Sequence, residues 1–339
     1  MQRGLLRRLL VTNKAILFTL VLGVTFWRLS PYFLTSTNLF NLLQQISVMA
    51  LVALGFTFVL GAAEIDLSIG GIVGLVGVIM AKLMTEAGLP WYLAVACGLV
   101  AGGFCGAFNA TLISQFDLPP FIVTLATNSL FTGLLYILTN LIPISNLPST
   151  FVSIGMGYAG PVPVPVFVVL PAIGLAYIMA KRSVFGRYVV ALGANVEAVR
   201  IAGVSVKRVR LGVYVVSGLA CAAASVVLTA LSASAQTSAG ANLLLDVIAA
   251  VVIGGTPLFG GKMDIVGTVF GCLIIGMIND GLNILGVNAN YQIISEGAVI
   301  LLALAMDVES TKVLLRLSKS QVLRANRLTE SGLREKGLT

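Results

Sequence analysis

Two carboxylates stand in the middle of a greasy stretch of chain. Residues 61–71 read GAAEIDLSIGG, which places Glu64 and Asp66 between glycines, with Ser68 close behind. The run LLQQISVMALVALGFTFVL precedes them and IVGLVGVIMAKLM follows. Glycines on both flanks let a helix break there and free its backbone N–H and C=O groups. Non-helical backbone at membrane depth survives only when it is buried in protein or lines a wet cavity. Glu64, Asp66 and Ser68 are therefore candidates for a pathway or a gate. Two plainer readings stand beside this one. The acids can sit hydrated in a surface loop, or Asp66 and Ser68 can cap the next helix at its positive end.

Further polar groups lie inside apolar runs: Gln44, Gln45, Asn109, Asn128, Asp246, Asn279, Asp280, Asn283 and Glu296. An ionisable group inside a membrane span is a functional candidate by default. Asp246, in LLLDVIAAVV, sits deepest in its run, and Asn128 joins it as a pathway or gate candidate. A lining of amides and hydroxyls with few charges suits a neutral, hydroxyl-rich solute. A rival use of the same acids is ion or proton coupling in a secondary transporter, with Glu64, Asp66 and Asp246 as the coupling carboxylates. Covalent catalysis has little to work with. The chain has no histidine, and no nucleophile–base pair or metal-ligand cluster is visible. GGTPLFGGKM imitates a phosphate-binding loop but puts Thr256 where the first glycine belongs and Met263 after the lysine. The chain therefore shows no nucleotide site and is expected to bind no cofactor of its own.

The elements that hold these residues must be membrane helices. Of the 339 residues, 58% are hydrophobic and 10% charged, against about 25% charged in soluble domains. Apolar runs recur at about 15–34, 42–61, 69–86, 91–113, 119–140, 163–180, 211–233, 243–259, 265–286 and 290–307. Each is read as a helix crossing ~30 Å of hydrocarbon. The expected fold is an all-α polytopic membrane protein of about ten transmembrane helices. The expected layout is a cytoplasmic N-terminus over 1–14, a transmembrane domain over 15–307 and a basic cytoplasmic tail over 308–339.

The net charge of +8 could point to nucleic acid, but its distribution points to topology instead. Four basic residues lie in 3–14, seven in 181–210 and seven in 312–336, out of 21. If all three clusters face the cytoplasm, an even number of spans must separate them, and six and four do. Both termini are then cytoplasmic. The loops at 141–162 and 235–242 carry no charge and fall outside. The basic, apolar start lacks an A-x-A-like cleavage site and reads as a retained first span. Cys97, Cys105, Cys221 and Cys272 read as small buried hydrophobes.

Two local patterns add detail. VLGAAEIDLSIGGIVG at 59–74 aligns without a gap on VIGGTPLFGGKMDIVG at 252–267, so a parallel internal repeat is expected, a common plan for transporters. Within the middle basic cluster, ANVEAVRIAG reads as a short helix: Asn195 caps it, Glu197 sits in its first turn and Gly203 stops it. Val196 and Val199 share a face at i, i+3 spacing. Such a helix is shaped to dock in a partner's groove or to lie on anionic lipid.

DLPPFIVTLATNSL, VLGAAEIDLSIGG, FGRYVVALGANVEAVRIAGV and LDVIAAVVIGGTPLFGGKMDIVGT together resemble the ribose-type permeases of bacterial ABC importers, in order over about residues 35–307. The resemblance implies a multi-pass plasma-membrane subunit that moves monosaccharides or related solutes. It implies a cytoplasmic ABC ATPase that binds ATP and Mg, an extracytoplasmic solute-binding protein, and a second permease copy or paralogue. Gly186, Arg187, Gly193, Asn195, Ala198 and Gly203 fall on characteristic positions of the family's cytoplasmic loop. With Val199 they make 181–210 the implied ATPase-coupling segment. Glu64 departs from the family, which more often has glycine there. Met263 and Asp264 also depart, standing where glycine and a small or basic residue are common.

Overall fold

The computed structural model describes residues 14–288, 290–295, 297, 298 and 301. Its helices are α1 (Lys14–Leu29), α2 (Ser36–Gly61), α3 (Ile69–Thr85), α4 (Trp91–Phe116), α5 (Pro120–Thr139), α6 (Ser149–Met156), α7 (Val164–Lys181), α8 (Val184–Ala194), α9 (Val196–Ile201), α10 (Val206–Leu231), α11 (Leu243–Ile253) and α12 (Ile265–Ile284). A two-stranded hairpin, β1 (Tyr158–Ala159) and β2 (Val162–Pro163), separates α6 from α7. Six of these helices, α2, α4, α5, α7, α10 and α12, are long and apolar enough to cross a membrane. The chain is thus an all-α polytopic membrane protein.

Helix α2 is the hub. Every residue from Ile46 to Gly61 is buried, as expected for a helix that is apolar all round. It packs on α10, α12, α7 and α11. Lipid is as apolar as leucine, so burial itself drives little of this association; close packing does. The small residues supply it. A Cβ on Gly106 would strike the Tyr214 carbonyl, and one on Gly271 would strike the Ala250 carbonyl. The Gly98, Gly102 and Gly106 face meets α3 through Gly98 and α10 through the other two.

Several expected boundaries shift. The run at 243–259 yields only the 11 residues of α11, about 16 Å at 1.5 Å per residue. Gly254 ends that helix and Gly255, at φ +93°, turns the chain. Helix α10 starts at Val206 and takes in Lys207, Arg208 and Arg210, earlier than the apolar run alone implies. Helix α2 likewise starts at Ser36, where Thr35 Oγ1 accepts the Asn38 N–H at 3.4 Å. All four cysteines are free and three are buried, but Cys97 is exposed beside Val100 and Phe104. Arg3, Arg7 and Arg8 of the basic N-terminal cluster, half of the span at 290–307 including Glu296, and the tail lie outside the described residues.

Candidate functional site

Residues 62–68 join α2 to α3 with Ala63 exposed, Ile65 and Leu67 half-buried and the polar side chains turned inward. Glu64 is buried and Asp66 fully so, which rules out the hydrated-loop reading. Three residues of α10, spaced i, i+4 and i+7 and so on one face, hold three consecutive residues of the loop. Arg210 Nε donates to Glu64 Oε1 in an ion pair. The Tyr214 hydroxyl donates to the Ile65 carbonyl at 3.4 Å. Ser217 Oγ donates to Asp66 Oδ2 at 2.9 Å. Ser217 stands about 16 Å along α10 from Val206 at 1.5 Å per residue, so Asp66 is well below the end of that helix.

Neighbouring helices complete the hold. Asp66 Oδ1 accepts the backbone N–H of Ser68 at 3.0 Å and also its hydroxyl. The Ser68 hydroxyl in turn accepts from Asn109 Nδ2 at 2.7 Å. Thr124 Oγ1 donates to the Ile65 carbonyl at 3.3 Å, and Asn128 Oδ1 accepts the Gly71 N–H at 2.9 Å. Ser68 occupies the N-cap of α3, but its side chain does not cap it; the hydroxyl is taken up by Asp66 and Asn109. Burial pushes the Glu64 and Asp66 carboxyls up. At Glu64 the Arg210 guanidinium opposes this, and at Asp66 the serine donors do.

A cavity of about 420 Å³ opens away from this loop, among α2, α10, α12 and the segment 232–246. Its polar lining includes Gln45, Thr229, Gln236, Asn242, Asp246 and Asn279. No lysine or arginine lines it among the described residues. Asn279 Oδ1 is itself buried, with no hydrogen-bond partner among the described residues. Asp246 sits in the first turn of α11. Asp280 faces elsewhere and accepts from Asn38 Nδ2 at 2.7 Å. Gln44 donates to the Gly155 carbonyl at 2.7 Å.

The segment 181–210 lies near the far end of α2 from the cavity. Ser183 caps α8, with its Oγ accepting the Gly186 N–H at 2.9 Å. Gly186 packs against the Met179 and Ala180 carbonyls, where a Cβ would collide. Gly193 packs on the Gly61 carbonyl and the Gly261 N–H. Asn195 Oδ1 accepts the Ala198 N–H at 3.0 Å and starts α9, and Gly203 ends it at φ +77°. Arg187 is exposed. Val199 is 6% exposed and faces into the chain, so it presents nothing to a partner. Val196, 41% exposed, and Ile201, 80% exposed, form the outward face instead.

Residues 38–304 match the family described as branched-chain amino acid transport system / permease component. The chain belongs to this permease family. It is 41% identical over 293 residues to the ribose import permease protein RbsC of Bacillus subtilis, covering 86% of this chain and 90% of the relative. It is 36% identical over 304 residues to RbsC of Haemophilus influenzae, covering 88% and 94%. The D-allose transport system permease protein AlsC of Escherichia coli is 38% identical over 288 residues, covering 85% and 88%. Within the family the chain is a ribose-type ABC permease, a transport component and a multi-pass inner-membrane protein. No solved structure matches it.

The permease's residues explain two of its departures from the family pattern. Asp264 caps α12, its Oδ1 accepting the Gly267 N–H at 2.9 Å, while Met263 is buried against Gly61. Arg210, Tyr214 and Ser217 were not among the sequence candidates. Their signal was present as one arginine, one tyrosine and one serine on a single face of a helix.

Proposed function

We propose that this permease is the membrane subunit of an ABC importer that carries a neutral sugar inward. The cavity carries the reading. Its polar lining is amide and hydroxyl with one carboxylate, set among apolar side chains such as Ile46, Met49 and Leu228, and a sugar offers hydroxyls to the polar groups. An amino acid, which the family description names, carries both charges and needs a basic partner for its carboxylate. None lines the cavity among the described residues. The relatives named for ribose and for allose favour a sugar over an amino acid. They also favour ATP-driven import over ion or proton coupling through Glu64, Asp66 and Asp246.

Ten spans and a parallel repeat organise the transmembrane domain over 15–307, with 1–14, 181–210 and the tail 308–339 in the cytoplasm. The two aligned stretches support the repeat. Each joins a helix end, Gly61 or Ile253, to a helix start, Ile69 or Ile265. The two loops touch, since Gly261 N–H donates to the Gly61 carbonyl at 3.1 Å. A cytoplasmic ABC ATPase binds ATP and Mg and grips 181–210, with Gly186, Gly193, Asn195, Ala198, Val199 and Gly203 shaping that segment and Arg187 on its surface. A solute-binding protein delivers the sugar on the other side. A second permease copy or paralogue completes the channel. Glu64, Asp66, Ser68 and Asn128 build a gate, and Asp246 belongs to the pathway.

The test is reconstitution with the ATPase and binding protein in liposomes, followed by uptake of labelled ribose and allose. ATP-dependent uptake that survives a protonophore is expected. Uptake that collapses with the protonophore and ignores ATP would overturn the reading. A cysteine at Ile201, in a chain with Cys97 replaced, is expected to label from the cytoplasmic side only.

A further inference from the structure

We infer that the Glu64–Arg210 pair is a latch that carries movement of the short helix α9 into the loop before α3, and so to the wall of the cavity. The inference rests on the reading of 181–210 as the segment an ATPase moves.

The path is continuous in hydrogen bonds and packing. Helix α9 is tied to α10 by a tight turn, in which Val204 N–H donates to the Val199 carbonyl at 3.2 Å and Gly203 N–H to the Arg200 carbonyl at 3.0 Å. Arg210 stands in the second turn of α10. A shift of α9 must therefore displace the Arg210 end of that helix. Arg210 holds Glu64, and the Glu64 N–H donates to the Val59 carbonyl at 3.1 Å, in the last turn of α2. The loop is thus pinned between the end of α2, which is packed all round, and the start of α10, which moves.

Beyond the loop, α3 reaches the cavity wall. A Cβ on Gly70 would strike the Gly240 carbonyl, and one on Gly74 the Ala239 carbonyl. Both Ala239 and Gly240 line the cavity. Backbone against backbone leaves no soft side chain to absorb a shift, so α3 and the wall move together.

The three α10 contacts are unequal. The Tyr214 and Ser217 bonds lie deeper and are neutral donors. Only the Arg210 pair is charged on both sides, with its side chains 17% and 6% exposed. A charged pair in a poorly solvated place either holds or is released outright, because each separated charge must then find water. That two-state character is what a latch needs.

The test uses the assembled transporter in liposomes and reads sugar moved per ATP hydrolysed. Glu64→Gln with Arg210→Gln keeps the site neutral and is expected to lower that ratio at least about fivefold, with ATP hydrolysis retained. The exchanged pair, Glu64→Arg with Arg210→Glu, is expected to restore most of it. A ratio unchanged in the neutral double variant would overturn the latch, and so would a lowered ratio that the exchange fails to restore in folded protein. Amide exchange of the embedded chain gives a readout that needs no sugar. The neutral variant is expected to speed exchange over 64–68, and unchanged exchange there would also overturn the latch. Failure of the importer reading is distinct: the unaltered chain would then move no sugar with ATP.

Discussion

Gly102 of α4 and Gly218 of α10 meet backbone to backbone. A Cβ built on either would strike the other's carbonyl oxygen. The most extensive helix pairing among the described residues, α4 on α10, is therefore set by the absence of side chains. Gly218→Val is expected to cost about 1–3 kcal/mol or more through overpacking, read as a lower unfolding midpoint in detergent. Gly133→Ala is the control. Nothing lies within 4 Å of a Cβ there, and a helical Gly→Ala change is worth about 0.5–1 kcal/mol in the stabilising direction. A midpoint for Gly218→Val equal to that of the unaltered chain would contradict the close approach.

Val199 and Ile201 are two residues apart and have opposite exposures. Ile201→Glu is expected to leave the amount of folded permease unchanged and to weaken capture of its ATPase about fivefold or more, as for a central contact residue. Val199→Asp puts a carboxylate into a buried site and is expected to reduce the folded protein itself. Co-purification at equal permease levels separates the two effects. If Val199→Asp folded normally and Ile201→Glu bound the ATPase normally, the outward face would be misplaced.

Asn195→Ala removes the side-chain acceptor of the Ala198 N–H. It is expected to cost α9 about 0.5–2 kcal/mol, seen as faster amide exchange over 196–201. Asn195→Asp keeps an acceptor oxygen and is expected to keep the protection.

Gln45→Leu and Asn279→Leu each remove a polar group from the cavity wall. Each is expected to raise the KM for sugar uptake about tenfold, the scale of one lost hydrogen bond at about 1–1.5 kcal/mol. Asp246→Asn is expected to leave uptake ATP-driven and insensitive to a protonophore. Loss of protonophore insensitivity in that variant would revive a coupling role for the acid.

Much of this organisation could be read from the chain, for identifiable reasons. Continuous apolar runs gave α4, α5, α7 and α12 to within a few residues, because a membrane span needs little beyond length and apolarity. ANVEAVRIAG carried its own cap and stop, and α9 formed where they put it. The neighbouring α8 leaves no span-like signal although Ser183 marks its start, since its apolar run is too short to cross a membrane. Burial of Glu64 and Asp66 was not legible. It depends on Arg210, Tyr214 and Ser217, about 150 residues away, and no local pattern reports so distant a pairing. The inward turn of Val199 escaped for a similar reason. Spacing said that Val196 and Val199 share a face but not that the turn at Gly203 folds only one of them under.

The all-round enclosure of α2 also bears on how the protein is made. Its sleeve includes α10 and α12, which leave the ribosome long after α2 has entered the bilayer. Until then α2 must wait in lipid as a bare rod, displaying Gln44 and Gln45 with no permanent neighbours. The bundle cannot close before synthesis is nearly complete, so a truncated chain would leave in the membrane a core without its wrapping, ready for quality-control proteases.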